Sequence, residues 1–194
     1  MPTMAMGLLG FILFFIYDLN DAYWNHKILN GLFPVGLILL GGSVIVEIVL
    51  AIVTIPKLGF ISLLGLTFAL LFFVGLMYTL FFALPFKSTY IDVAEGRKTF
   101  KFGVYALCRH PGLGCFIGLF FFLYLAFPST KIAIMSIVYC ALNLLYVVFQ
   151  DLLTFPVIFS DYDLYKSETP FIVPNFKSIR TCCRTLNMEE GNLP

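Results

Sequence analysis

Four side chains able to do chemistry stand beside two long apolar runs of this sequence. Arg109 and His110 precede one run, and Gln150 and Asp151 follow the next. A guanidinium holds a carboxylate through two parallel hydrogen bonds, an imidazole donates or accepts a proton, and a carboxylate binds an ammonium group. Brought together at a membrane edge, these groups would bind a small polar ligand while an apolar tail lies between helices.

The same residues also suit a purely structural role. Pro111 fits the first turn of a helix, where its missing N–H leaves no hydrogen bond unmade. An arginine beside the cytoplasmic end of a span is an ordinary topology signal, and a histidine packs readily at a helix start. Residue types and spacing alone leave both interpretations open.

The elements that position these residues are membrane helices. Of 194 residues, 60% are hydrophobic and 12% are charged, and the mean hydropathy is +0.96. This composition is typical of an all-α integral membrane protein. Because no long hydrophilic block interrupts the apolar runs, no separate soluble domain is expected. The net charge of +1 is not clustered into a basic face, so nucleic acid is excluded as a partner and the lipid bilayer is expected.

Apolar runs predict a bundle of about five transmembrane helices. Residues 1–86 would form an N-terminal anchor of three spans, residues 87–176 a core with a helical hairpin, and residues 177–194 a flexible polar tail. The predicted spans cover residues 4–17, 32–55, 58–86, 112–127 and 132–149.

Charge asymmetry orients the predicted bundle. Ten of the twelve Lys and Arg residues fall on the side of Arg109 and the C-terminus, and only Lys57 and Lys131 fall on the other. Positive residues near spans remain in the cytoplasm, so the Arg109 loop and the C-terminus are expected there. The hairpin then brings Arg109 and Asp151 to similar depth, in a cytosol-facing pocket formed by the C-terminal half.

One glutamate lies inside the second predicted span. Glu47 stands in the run V-I-V-E-I-V, where an ionised carboxylate is costly, so it should face the bundle, be protonated or pair with a polar neighbour. Gly41, Gly42 and Ser43, one or two turns earlier, are expected to allow close helix contact.

An ordered set of residues resembles the isoprenylcysteine carboxyl methyltransferase family of membrane methyltransferases. The segment G-V-Y-A-L-C-R-H-P, residues 103–111, matches the family's Gly-x-Tyr-x-x-x-Arg-His-Pro signature. An apolar hairpin follows, and then Gln150 and Asp151 at an acidic pair, Tyr162 and Tyr165 at two tyrosines, and Pro170 and Pro174 at two spaced prolines. The likeness covers about residues 97–174 and identifies the chain as similar to a divergent member.

The resemblance implies a function and a set of roles. The protein would use S-adenosylmethionine to methylate a carboxylate or similar group on a lipid-tailed or small amphiphilic acceptor. It would lie in the endoplasmic reticulum of a eukaryote or the plasma membrane of a prokaryote. Arg109 would be the catalytic residue that holds the acceptor. The cofactor would be bound by Tyr105, His110, Gln150, Asp151 and Tyr162.

Departures from the family pattern keep two other function classes open. Gln150 and Asp151 stand where the family has two glutamates, and Leu113 stands where it has a tyrosine. These changes favour either a different substrate or a non-catalytic membrane scaffold. An NADPH-dependent membrane reductase is a third class, because sterol reductases are similar at their C-terminal ends. The five cysteines lack zinc-ligand spacing, so no metal site is predicted.

Overall fold

The structure, a computed structural model, describes residues 2–54, 59–83 and 97–186, and it contains helices and no strand in these ranges. The all-α prediction is therefore confirmed for this part of the chain. The helices are α1 (Pro2–Leu19), α2 (Leu32–Thr54), α3 (Phe60–Met77), α4 (Val104–Leu107), α5 (Pro111–Ala126), α6 (Thr130–Phe149), α7 (Phe155–Ile158), α8 (Tyr162–Glu168) and α9 (Phe176–Thr185).

Within the described ranges, four stretches are long and apolar enough to cross a membrane, which makes this a multi-pass membrane protein. Helix α5, in the place of the predicted fourth span, is apolar but has only 16 residues, so the five-span count stays a prediction. The predicted helix boundaries at Ile55, Leu58 and Phe86 lie outside the described residues. The four crossing stretches are Pro2–Trp24, Lys27–Thr54, Phe60–Phe82 and Thr130–Ile158.

Small residues set the closest helix contacts. Helix α1 packs along α2, where a Cβ on Gly10 would lie 2.8 Å from the Gly36 carbonyl oxygen. Helix α3 packs along α5, where a Cβ on Gly65 would lie 2.7 Å from the backbone nitrogen of Ala126. Lipid tails are as apolar as the helices, so association depends on such close packing. Aromatic side chains, among them Phe120 at 1% exposure, fill the remaining core.

Polar groups within the membrane part are paired inside the bundle. The Thr3 hydroxyl donates to the buried Glu47 carboxylate, and the hydroxyls of Ser43 and Tyr139 lie 3.0 Å apart. The expectation that Glu47 pairs with a polar neighbour is confirmed. The expectation of close contacts at Gly41 and Gly42 is wrong: among the described residues, a Cβ on Gly41 would meet nothing within 4 Å, and one on Gly42 only Met6 at 3.9 Å.

Two elements differ from their predicted form. Helix α6 does not end at Phe149 but continues through a π-helical turn, Gln150–Thr154, into α7, so Asp151 lies within a continuous helical segment. The segment predicted as a flexible tail from residue 177 begins inside α9. This helix starts at a capping box formed by Asn175 and Ser178.

We expect Gly65→Ala to lower the free energy of unfolding by about 1–3 kcal/mol, because the added methyl group meets backbone atoms that cannot rotate away. Gly41→Ala is the matched control, since its methyl group enters open space and alanine favours a helix. Denaturant titration in mixed micelles measures both. Equal stability of the two variants would contradict the close contact between α3 and α5.

Candidate functional site

The buried carboxylate of Asp151 is contacted by side chains from two other parts of the chain. Its Oδ1 accepts hydrogen bonds from Arg109 Nε at 2.8 Å, His110 Nε2 at 3.1 Å and Tyr162 OH at 2.7 Å. Its Oδ2 accepts one from Arg109 Nη2 at 3.3 Å and lies 3.2 Å from Lys166 Nζ. These five residues are called the Asp151 cluster below. The predicted meeting of Arg109 with Asp151 is found in the structure.

Local backbone structure explains why the cluster forms here. Arg109 and His110 immediately precede α5, whose first residue is Pro111, so their backbone N–H groups have no helical partner. Instead, Arg109 N–H donates to the Pro170 carbonyl at 2.9 Å and His110 N–H to the Phe171 carbonyl at 3.3 Å. These bonds fix residues 109–110 against the segment that follows α8. Helix α8 itself carries Tyr162 and Lys166.

The Arg109 guanidinium donates hydrogen bonds to protein acceptors through all three of its nitrogens. Besides Asp151, its Nη1 donates to the backbone carbonyls of Lys166 at 3.1 Å and Thr169 at 2.6 Å. The guanidinium carbon lies 5.6 Å from the centre of the Phe171 ring, within cation–π range. The two parallel hydrogen bonds that were expected to hold an acceptor carboxylate are therefore made to Asp151.

The charges of the cluster are desolvated to different degrees. The side chains of Arg109, His110 and Asp151 are 8%, 6% and 5% exposed, whereas Lys166 is 34% exposed. A buried ion pair is costly to desolvate and is retained only with good geometry and additional hydrogen bonds, which this carboxylate has. Lys166 is thus the member that reaches solvent.

Protonation of His110 and Tyr162 follows from their surroundings. Burial lowers the pKa of the His110 imidazole, and the hydrogen bond to Asp151 opposes this only in part. Because Arg109 and Lys166 already balance the carboxylate, we assign His110 as neutral, with its Nε2–H donating to Asp151. Burial, and next the hydrogen bond to Asp151, raises the pKa of Tyr162, so its hydroxyl remains a donor.

Two of the predicted cofactor-binding residues, Gln150 and Tyr105, have hydrogen-bond partners outside the Asp151 cluster. Gln150 donates through Nε2 to the Asp18 carboxylate of α1 at 2.8 Å, because consecutive helical residues point in different directions. The Tyr105 hydroxyl donates to the Thr79 carbonyl at 2.8 Å, beyond the end of α3. These two bonds tie Gln150 to α1 and Tyr105 to the turn that follows α3, so both side chains fix helices that surround the cluster.

Sequence reasoning missed Lys166 and Asp18. Lys166 follows Tyr162 by four residues, a spacing that puts both on one helix face, and this signal was present in the sequence. Asp18 had no such signal, because its partner Gln150 is distant in sequence. No group of three or more His, Cys, Asp or Glu residues within the described ranges is placed to hold a metal ion.

Comparison of the chain with protein-family models, curated proteins and solved structures finds no match.

We expect Asp151→Asn to lower the free energy of unfolding by about 3–5 kcal/mol, because it leaves Arg109 buried without an anion. Glu168→Gln is the control: its ion pair with Lys101 spans 3.9 Å and both side chains are at least 36% exposed, so less than about 1 kcal/mol should be lost. Denaturant titration in mixed micelles compares the two. Similar losses would mean that the Asp151 cluster contributes no special stability.

We expect the stability of the protein to fall below about pH 6.5, the ordinary pKa of an imidazole. The pKa of His110 is lowered in the folded protein, so below pH 6.5 the unfolded chain binds a proton that the folded chain does not. This loss continues as the pH falls to the lowered pKa, at no more than about 1.4 kcal/mol per pH unit. Thermal unfolding of the wild type and of His110→Gln at several pH values measures it.

The His110→Gln variant should show a weaker dependence in this pH range, since glutamine can still donate to Asp151 but does not titrate. His26→Gln, at an exposed histidine, is the control. If His110→Gln and the wild type lose stability in parallel, His110 is not held neutral by burial.

Proposed function

We propose that this protein is a multi-pass membrane methyltransferase that uses S-adenosylmethionine and modifies a carboxylate or similar group of a lipid-tailed or small amphiphilic acceptor at the cytoplasmic membrane edge. One observation supports this most strongly. Four positions of the sequence resemblance meet within hydrogen-bond distance although three different segments of the chain supply them: Arg109, His110, Asp151 and Tyr162.

The side chains fit the chemistry of the cofactor in part. S-adenosylmethionine carries a sulfonium, an ammonium and a carboxylate, and supplies an electrophilic methyl group when bound. Aromatic faces suit a sulfonium or an adenine, and the Phe155 and Phe171 rings lie 6.0 and 5.0 Å from the His110 ring. The partly exposed Lys166 ammonium suits a carboxylate.

Asp151 does not fit the role of an ammonium ligand in this arrangement, because five contacts from four side chains already fill its two oxygens. We therefore assign it a positioning role. It orients Arg109, His110 and Tyr162, in the way that an outer carboxylate fixes a catalytic imidazole.

The remaining contribution of the protein is alignment and exclusion of water. Methyl transfer from a sulfonium is an in-line displacement that needs little acid or base help, so holding the acceptor in place supplies most of the rate. The two cations Arg109 and Lys166 outnumber the one carboxylate and would attract an anionic acceptor. The Nε2–H of neutral His110 donates a hydrogen bond to Asp151, so the other ring nitrogen, Nδ1, is a hydrogen-bond acceptor.

A second candidate is a non-catalytic membrane protein that retains the same scaffold. The specific observation in its favour is that Arg109 and Asp151 satisfy each other, while Gln150 is turned to Asp18. A cluster closed in this way works equally well as a structural joint between α6, α8 and the start of α5.

Binding measurements on the purified protein in detergent separate these functions. We expect S-adenosylmethionine to bind and NADPH not to bind, as measured by isothermal titration calorimetry. Lys166→Ala should weaken binding by about tenfold or more, the value of a charge-assisted hydrogen bond. Lys101→Ala, at a lysine whose side chain is 36% exposed and paired with Glu168, is the control and should leave binding unchanged.

If the folded protein binds neither compound, the methyltransferase proposal fails and the non-catalytic scaffold is favoured. Binding of NADPH alone would instead indicate a reductase. Unchanged binding by Lys166→Ala would remove the assigned role of Lys166. Thermal unfolding of each variant verifies that a loss of binding is not a loss of fold.

A further inference from the structure

Helix α9 (Phe176–Thr185) presents a polar face to the rest of the protein. Its buried residues are Ser178, Cys182 and Thr185, which follow the helical period, and α9 packs on the short helix α4. The Thr185 hydroxyl accepts a hydrogen bond from the Gly103 backbone N–H at 2.9 Å. A surface helix of a water-soluble protein normally turns its apolar stripe inward, so this arrangement is reversed.

The apolar residues of this segment point outward. Phe176, Ile179 and Leu186 are 95%, 43% and 49% exposed, and Cys183, between them on the same stripe, is also exposed. Val173, just before the helix, is 79% exposed. Nothing in the described part of the chain covers this stripe, and apolar surface of this kind marks a contact with a membrane or another protein.

A basic stripe lies beside the apolar one. Lys177, Arg180 and Arg184 recur at helical spacing and are all exposed, and α9 contains no acidic residue. An apolar stripe flanked by lysine and arginine is the pattern of helices that lie in the plane of a membrane surface. The basic side chains complement anionic lipid headgroups, whereas an apolar protein partner would leave them unused.

The position of α9 places it near the ends of the apolar helices. Helix α4, on which it packs, is followed by Cys108, Arg109 and His110 and then by the first residue of α5. Tyr105 of α4 also donates to the Thr79 carbonyl, in the turn that ends the crossing stretch Phe60–Phe82. Through α4, helix α9 is thus held at the depth where α5 begins and the stretch Phe60–Phe82 ends. Lipid headgroups are expected at this depth.

We propose that α9 is a membrane-surface helix whose outward apolar stripe inserts at the boundary of headgroups and acyl chains, while Lys177, Arg180 and Arg184 bind anionic lipid headgroups. The occupant of this face is the bilayer that surrounds the protein. This contact stabilises α9 and the attached α4 at the membrane surface and does not depend on the proposed enzyme activity.

Hydrogen–deuterium exchange of the full-length protein in lipid nanodiscs tests this inference. Nanodiscs of phosphatidylcholine mixed with phosphatidylglycerol are compared with nanodiscs of phosphatidylcholine alone. We expect the α9 amides to exchange at least about tenfold more slowly in the anionic lipid, since three basic residues near an anionic surface together change the docked population by on the order of a hundredfold. The peptide containing α8 serves as the internal reference.

Two variants make the outcome decisive. The triple substitution Lys177→Gln, Arg180→Gln, Arg184→Gln should abolish the difference between the lipids. Phe176→Ser should reduce protection of α9 in both lipids, because it removes an apolar side chain that inserts into the membrane. This side chain is 95% exposed, so the substitution leaves the packing within the protein unchanged. Equal exchange of wild-type α9 in the two lipids would overturn the inference. A lipid difference that persists in the triple variant would also overturn it.

Discussion

The ion pair of Arg109 with Asp151 is the interaction on which the C-terminal half of the protein depends. Both side chains are more than nine-tenths buried, so each charge has lost most of its hydration and is stable only beside the other. The pair joins the start of α5, the continuation of α6 and, through Tyr162 and Lys166, helix α8. Moving any one of these elements would leave an unpaired charge or donor, and this cost maintains their arrangement.

The same saturation constrains what the site can do. The guanidinium N–H groups of Arg109 donate to Asp151 and to two backbone carbonyls. Arg109 therefore fixes the structure and contributes its positive charge, and it does not offer a ligand two parallel hydrogen bonds. Lys166 is the cation that reaches solvent, and the rings around His110 supply apolar and π surface. A ligand would therefore contact Lys166, the exposed member of the cluster, while the buried Asp151 would only hold the neighbouring side chains in place. This division of roles suits either a methyltransferase or a closed structural joint.

Sequence reasoning reached the larger part of the fold because hydropathy and charge follow from bulk physics. An uninterrupted apolar run must be helical in lipid, and a tight reversal between two such runs brings their outer ends together, so the meeting of Arg109 with Asp151 was predictable. The partner of Gln150 could not be predicted, because the continuing helix turns this side chain towards α1, where it donates to Asp18. Gly41 was misread as a contact because small residues allow close packing without requiring it. Such details depend on how each helix is rotated about its own axis, which the composition of the sequence does not determine.

The most direct test of the central claim is a double-mutant cycle on the free energy of unfolding in mixed micelles, with Arg109→Met, Asp151→Leu and the double variant. The account predicts that the double variant is at least about 2 kcal/mol more stable than the sum of the single losses implies, because each single change leaves a buried group unpaired. Additive losses would contradict the account, since they would mean that the two side chains contribute to the fold independently.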